Sequence, residues 1–241
     1  MRMMTNEIHR HFSEIVKMNL QKNRDDVFAT VEQAQKNAHR PSQSVNVIAV
    51  TKYVDSSIVR ELIKTGIHHI GENRVDKFLD KYHALSDQEL TWHLIGTLQR
   101  RKVKDVINYV DYFHALDSVK LAEEINKRAE KPIKCFLQLN ISGEQSKHGF
   151  SVDELEEIIP QLIPFEKVEV VGLMTMAPFD ADSEELNEIF SKMNEIHKTL
   201  SARYIPHMPF TELSMGMSGD YVQAIQNGAT FVRVGSAFFT E

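Results

Sequence analysis

The stretch VNVIAV at residues 45–50 is the first of eight short apolar runs that decide how this chain folds. The other runs are 68–71, 92–96, 112–116, 134–141, 168–175, 212–216 and 230–237. Several are apolar almost throughout, which is typical of strands that are covered on both faces. We therefore interpret the eight runs as β-strands.

Helix signals separate these runs. Asp55 is placed to cap a helix that ends at Gly66, and Ser151 with Glu154 forms a capping-box pattern. Ser218 is placed to open a helix that closes at Gly228. Helices are also predicted over 97–108, over 117–130 and over 186–200.

Strand and helix alternate through eight units, which favours a parallel sheet. Eight units predict an α/β fold with a single closed (β/α)8 TIM barrel, and a doubly wound open sheet is the alternative. An extra amphipathic helix precedes the first strand, with an apolar stripe through Ile8, Phe12, Ile15, Leu20, Val27, Val31 and Ala34. We assign the barrel to residues 18–241 and residues 1–17 to an N-terminal extension, either genuine or added by an upstream start codon.

Composition excludes several classes of function. Among 241 residues, 28 are basic and 34 acidic, and a net charge of −6 argues against nucleic-acid binding. No apolar run reaches the length of a membrane span, and the N-terminus lacks the apolar core of a signal peptide. The single cysteine, Cys135, excludes an internal disulfide and is expected to be a buried small hydrophobe. We expect a cytoplasmic protein that binds neither nucleic acid nor membrane.

In a barrel of this kind, functional residues lie at the carboxyl ends of the strands. Lys52 follows the first strand and continues the face of Ile48 and Val50. If it is desolvated, its amine can lose a proton and form a Schiff base; the alternative is a lysine that extends into solvent.

The loops after strands seven and eight suit a phosphate. They contain small residues and hydroxyls, namely Gly216, Ser218, Gly219, Gly235 and Ser236. Backbone N–H groups beside such residues bind phosphate in many barrels, while ordinary turn chemistry, with Ser218 as an N-cap, is the alternative.

Arg233 lies within the apolar eighth run, so its guanidinium needs a partner. That partner is either a carboxylate or an acceptor on a ligand above the barrel. Together, a Schiff-base lysine, a phosphate cradle and an inward arginine indicate pyridoxal 5′-phosphate (PLP).

Several segments carry a resemblance to a known family. They are Thr51-Lys52, Gly71-Glu72-Asn73, WHLIGTLQ at 92–99, Asn140-Ile141, Gly172-Leu173-Met174, LSMGMS at 213–218 and VRVGS at 232–236. Jointly these resemble the pyridoxal phosphate homeostasis protein (YggS/PROSC) family, from about residue 19 to the end. The resemblance implies a single-domain barrel similar to the N-terminal domain of alanine racemase.

The resemblance also implies roles for individual residues. Lys52 would form the aldimine, Arg233 would face the pyridine nitrogen, and Ser218, Gly235 and Ser236 would hold the phosphate. Asn73 would lie beside the cofactor and Met217 would line the site. Lys147, in the loop after strand five, is a candidate second PLP acceptor.

Members of that family are regarded as PLP carriers and regulators of vitamin B6 and amino-acid pools. The resemblance thus implies a carrier without catalytic residues, whose partners are PLP, apo forms of PLP-dependent enzymes and amino acids. The alternatives are a PLP-dependent racemase or decarboxylase and a cofactor-free aldolase. An arginine at the pyridine nitrogen weakens carbanion chemistry, and the racemases carry a second domain for which we expect no room here.

No metal site is predicted. His68 and His69 are adjacent in a strand and point to opposite faces, so they cannot share one metal ion. The basic cluster Arg100, Arg101, Lys102 and Lys104 is interpreted as the solvated face of a helix.

Overall fold

The computed structural model describes residues 2–141, 143 and 148–240, with side chains from residue 19 onwards. Its strands are β1 (Asn46–Val50), β2 (His69–Glu72), β3 (Thr91–Leu94), β4 (Tyr112–Leu116), β5 (Ile133–Gln138), β6 (Val168–Met174), β7 (Glu212–Met217) and β8 (Phe231–Val234). Each strand pairs in parallel with the next, and β1 pairs with β8, so the sheet is a closed barrel. The predicted (β/α)8 barrel is confirmed, and the open sheet is excluded.

Helices connect the strands on the outside of the barrel. They are α1 (Arg2–Asn37), α2 (Ser56–Ile63), α3 (Val75–Ala84), α4 (Val103–Val106), α5 (Val119–Arg128), α6 (Leu155–Leu162), α7 (Ser183–Ser201), α8 (Tyr221–Gln226) and α9 (Ser236–Phe239). The Asp55 carboxylate accepts hydrogen bonds from the backbone N–H groups of Ser57 and Ile58, which confirms it as the N-cap of α2. None of the helices in the described part of the chain combines the length and apolarity needed to cross a membrane.

Helix α1 confirms the extra N-terminal helix and packs against the last unit of the barrel. Its side chains Leu20, Val27 and Val31 are buried. The Asn23 amide donates to the carbonyls of Phe238 and Thr240, at 3.0 and 2.8 Å. These bonds satisfy carbonyls at the end of α9, so α1 holds in place the short helix that follows β8.

The continuous helix predicted over 97–108 is wrong. The chain there forms a 3₁₀ turn at Arg100–Lys102, the four-residue α4 and a second 3₁₀ turn at Ile107–Tyr109. Three of its residues, Val103, Val106 and Ile107, are β-branched, fully buried and poor helix formers. Packing of these side chains therefore sets the backbone. The basic residues of this segment lie mostly in solvent, as expected.

The helix expected to open at Ser218 begins instead at Tyr221, and Ser218 is not its cap. The Asp220 carboxylate accepts a hydrogen bond from the N–H of Met217 at 2.5 Å and so closes the turn before α8. This leaves the Ser218 side chain available for a different contact. Strand β8 is also shorter than predicted, because the backbone turns into α9 directly after Gly235.

Candidate cofactor site

Arg233 of β8 is the one arginine among the described residues that is buried inside the barrel, with 4% of its surface exposed. Its Nη1 donates to the carbonyl and to the hydroxyl of Ser214, at 3.1 and 2.6 Å. Its Nη2 donates to the carbonyl of Thr175 at 3.0 Å. The guanidinium is thus fixed between Ser214 inside β7 and Thr175, directly after β6.

These contacts leave the Nε–H of Arg233 and one Nη2–H without a protein acceptor among the described residues. No carboxylate there forms an ion pair with it. Burial lowers the pKa of Arg233 to about 10, and the charge of Asp220 opposes that shift, so the group is a cation at neutral pH. A buried cation with spare donors is suited to an acceptor supplied by a ligand.

The loops after β7 and β8 meet at Ser218. Its hydroxyl accepts a hydrogen bond from the N–H of Gly235 at 3.0 Å. The hydroxyl proton of Ser218 therefore remains free to donate. A Cβ added at Gly235 would lie 3.4 Å from the Cβ and the carbonyl oxygen of Val50, so the end of β8 lies against the end of β1. Residue Ser236 follows, exposed, at the start of α9.

Asn73 is exposed just beyond β2, and its backbone is held by the next loop. A Cβ at Gly96 would lie 2.1 Å from the carbonyl oxygen of Asn73, so only glycine allows this approach. Met217 is partly buried at the end of β7, where it pairs with Arg233 in the sheet register. The structure thus places both residues on the carboxyl face, as the sequence predicted.

Lys52 lies in the turn directly after β1 and is exposed. Its ammonium lies 4.8 Å from the centre of the Tyr53 ring, and that ring is itself 88% exposed. The side chain therefore adopts the solvent-facing alternative in this conformation. Since a Cβ at Gly235 would lie against Val50, the Lys52 turn begins beside Gly235, which is bonded to Ser218 of the neighbouring loop.

The structure shows a buried ion pair next to Lys52 that the sequence analysis missed. Lys81 of α3 pairs with Glu72 of β2, and their side chains are 6% and 0% exposed. Lys81 Nζ also donates to the carbonyl of Thr51 at 2.6 Å, and the Thr51 hydroxyl donates to Glu72 at 2.6 Å. This network fixes the backbone that leads into Lys52. The sequence signal for this ion pair was Glu72, an acidic residue at the end of the buried strand β2.

The remaining expectations concern Lys147, metals and Cys135. Lys147 lies outside the described residues. Within the described part of the chain, no group of three or more His, Cys, Asp or Glu side chains is placed to hold a metal ion. Cys135 is fully buried, and burial raises the pKa of its thiol, which confirms it as an unreactive core residue.

Known proteins with the same barrel define the structural class of this chain. Residues 23–241 match the family described as "Alanine racemase, N-terminal domain". An alanine racemase from Corynebacterium glutamicum shares the fold, with a TM-score of 0.67 at 13% identity. This chain spans 60% of that racemase, so the likeness concerns the barrel alone.

Relatives of nearly the same length give the family. The "Pyridoxal phosphate homeostasis protein" of Aquifex aeolicus (strain VF5) is 37% identical over 218 residues, which cover 89% of this chain and 95% of the relative. Its namesake from Escherichia coli (strain K12) is 32% identical and matches 83% of this chain and 87% of the relative. The chain belongs to the pyridoxal phosphate homeostasis protein family. The solved structure of PipY from Synechococcus elongatus PCC7942, with PLP bound, is 33% identical, has a TM-score of 0.77 and covers 88% of this chain and 100% of PipY.

Proposed function

We propose that this protein binds PLP at the carboxyl face of the barrel, with Lys52 as its covalent anchor, and acts as a carrier and regulator in vitamin B6 and amino-acid homeostasis. The observation that carries the proposal is Arg233, a buried cation with spare donors that no carboxylate among the described residues neutralises. The names of the relatives and the PLP bound to PipY support it.

The surroundings of each site residue suit the role that we propose for it in binding PLP. Arg233 offers a donor to the unprotonated ring nitrogen, and Ser218 offers its free hydroxyl proton to the phosphate. Gly235 approaches Val50 closely, and we propose that its backbone N–H and Ser236 contribute to the phosphate contacts. Lys52 would hold the cofactor covalently, because PLP would supply an aldehyde with which an amine can form a Schiff base and release water.

An arginine cation at the proposed ring position weakens strong carbanion chemistry, and by itself it does not decide between a carrier and a racemase. Strong stabilisation of a carbanion by PLP needs a protonated pyridine nitrogen, usually held by a carboxylate. A fixed guanidinium at that nitrogen opposes its protonation. In this proposal that guanidinium is Arg233, whose partners are two carbonyls and a hydroxyl.

Delivery of the cofactor fits the exposed mouth of the barrel. Apolar side chains that follow β1 and β6 lie in solvent, with Tyr53, Met176 and Phe179 exposed by 88%, 41% and 104%. Exposed apolar side chains are suited to contact with another protein. We infer that apo forms of PLP-dependent enzymes receive the cofactor at this face, in the cytoplasm, and that amino acids reach the same opening.

The phosphate role of Ser218 is tested by Ser218→Ala. We expect PLP retention to weaken by about 1–2 kcal/mol, because one hydrogen bond to a charged group is lost. Pyridoxal, which lacks the phosphate, should bind poorly to both proteins and respond little to the change. Equal losses for pyridoxal and PLP would place Ser218 away from the phosphate.

The carrier function is tested against racemisation. The PLP-loaded protein is incubated with L-alanine in deuterated water, and both chirality and exchange at Cα are followed. We expect turnover far below roughly 1 s⁻¹, a modest rate for an enzyme, because racemisation needs a proton group on each face of the amino acid and Lys52 is the one group proposed. Racemisation at or above that rate, lost in Lys52→Ala, would establish the racemase instead.

A further inference from the structure

A chain of histidines crosses the inside of the barrel below Arg233. The Ser214 hydroxyl, which accepts from Arg233, lies 2.7 Å from Nδ1 of His114. His114 Nε2 lies 2.9 Å from Nδ1 of His93, and His93 Nε2 lies 2.9 Å from Nδ1 of His69. Strands β2, β3 and β4 each contribute one ring, and His93 and His114 are fully buried.

Arg233 favours one direction for the hydrogen bonds in this chain, because the proton of Ser214 needs an acceptor. Arg233 can only donate, so the Ser214 oxygen accepts from it. The hydroxyl proton of Ser214 then has one acceptor among the described residues, which is Nδ1 of His114. A ring that accepts at Nδ1 carries its proton at Nε2 when it is neutral. The Nε2–H of His114 then donates to Nδ1 of His93. In the same way the Nε2–H of His93 donates to Nδ1 of His69.

On this assignment all three rings are neutral Nε2–H tautomers. Burial lowers the pKa of His93 and of His114 well below the usual value, and burial also lowers the pKa of His69. The last donor in the series is the Nε2–H of His69, at the amino-terminal end of the barrel.

A cavity of about 350 Å³ opens at that end, and His69 forms part of its wall. Lys131 and Lys134 also line it, with the hydroxyls of Thr91 and Tyr112. The ammonium of Lys134 lies 5.0 Å from the centre of the Tyr112 ring.

One carboxylate, Asp111, is part of the same wall. It accepts a hydrogen bond from the Trp92 N–H at 2.8 Å and lies 3.9 Å from the ammonium of Lys131. The lining residues carry two ammonium groups and one carboxylate, so their formal charges sum to +1. Thr91, Tyr112 and His69 add groups that can donate hydrogen bonds, and the volume of the cavity is that of a small-molecule site.

We propose that this cavity binds a small carboxylate anion, and that the histidine chain couples the anion to Arg233 on the opposite face. When a carboxylate accepts a hydrogen bond from Nε2–H of His69, the Nδ1 atom of His69 becomes a stronger acceptor. The effect passes along the histidine chain because successive hydrogen bonds polarise one another. The Ser214 oxygen then holds Arg233 more firmly. The coupling to PLP rests on the proposed function, whereas the anion site and the tautomers do not.

The site is tested first on the protein without PLP, using succinate as the probe and its neutral diamide as the control. Calorimetry should show binding of succinate and none of the diamide. Lys134→Met removes one exposed ammonium group and should weaken the affinity for succinate about fivefold, the upper range for one partly exposed charge. Lys104→Met, at an exposed lysine of the outer segment after β3, should have no effect. Absence of succinate binding, or equal binding of the diamide, overturns the anion site.

Nitrogen-15 spectra of the histidines test the chain directly. His93 and His114 should show protonated Nε2 and unprotonated Nδ1, and the His69 Nε2 signal should move when succinate is added. Protonated Nδ1 on His93 or His114 would overturn the assigned direction.

The coupling is measured as a change in affinity in both directions. Saturating succinate should raise PLP affinity about fivefold, the small end of known couplings, and PLP should raise succinate affinity by the same factor. His93→Phe, whose ring replaces one stacked on Tyr112, should leave succinate binding intact and abolish the coupling. Ser214→Ala interrupts the chain at its other end and should do the same to the coupling. Independent affinities in the unaltered protein would overturn the coupling, while failure of PLP to bind at all would instead overturn the proposed function.

Discussion

We expect Lys52→Ala to abolish the covalent attachment of PLP. Among the described lysines near the proposed site, Lys81 is buried and held by Glu72, which leaves Lys52 as the amine beside the Ser218 loop. The Schiff-base absorption in the visible to near-ultraviolet should disappear, and borohydride should no longer fix a pyridoxyl group to the protein. A weaker, noncovalent affinity for PLP should remain, because the phosphate contacts come from other loops.

Lys104→Ala is the matched control, since Lys104 is an exposed lysine of the outer segment after β3. Its absorption spectrum and its borohydride product should equal those of the unaltered protein. A peptide map that finds the pyridoxyl group chiefly on another lysine, Lys147 above all, would contradict the assignment of Lys52.

Lys81→Met produces the largest expected loss of stability. It leaves the Glu72 carboxylate buried without its cation, which costs about 3–5 kcal/mol in the free energy of unfolding. Thr51 also loses the donor to its carbonyl, so the turn that carries Lys52 loosens. Urea denaturation should show the loss of stability, and the PLP-loaded fraction should fall with it.

Two further variants separate the ion pair from the lysine side chain itself. Lys77→Met, on the exposed face of the same helix, should unfold within about 0.5 kcal/mol of the unaltered protein. The double variant Lys81→Met with Glu72→Met should recover most of the stability, because two apolar side chains replace a buried pair at little net cost. A single Lys81→Met variant as stable as the unaltered protein would be inconsistent with the buried pair.

Most of the barrel could be predicted because its strands carry a local signal. Runs such as VNVIAV at 45–50 are apolar on both faces, and capping residues such as Asp55 mark the helices between them. The prediction failed where local preference and packing disagree. Over 97–108 the apolar spacing suits a helix, yet burial of Val103, Val106 and Ile107 divides the segment into short turns.

The positions of the candidate site residues could be predicted because they follow strands, and strands have a local sequence signal. Lys52, Ser218 and Gly235 follow strands, and in a parallel barrel all such positions come to one face. The local role of Ser218 was still wrong in one respect, since its hydroxyl accepts the Gly235 N–H and does not cap α8. That contact joins residues from two different units, which no local pattern encodes.

The sequence by itself determined the number and order of the strands, the parallel barrel and the face on which the proposed cofactor residues lie, because alternation and strand ends are local properties of the chain. Only the tertiary structure decided which side chains meet. The partnership of Glu72 with Lys81, and the chain from Arg233 through Ser214 to the histidines, depend on the register of strands that close into a ring. Register places residues far apart in sequence within hydrogen-bond distance, so these contacts have no signature in any single segment.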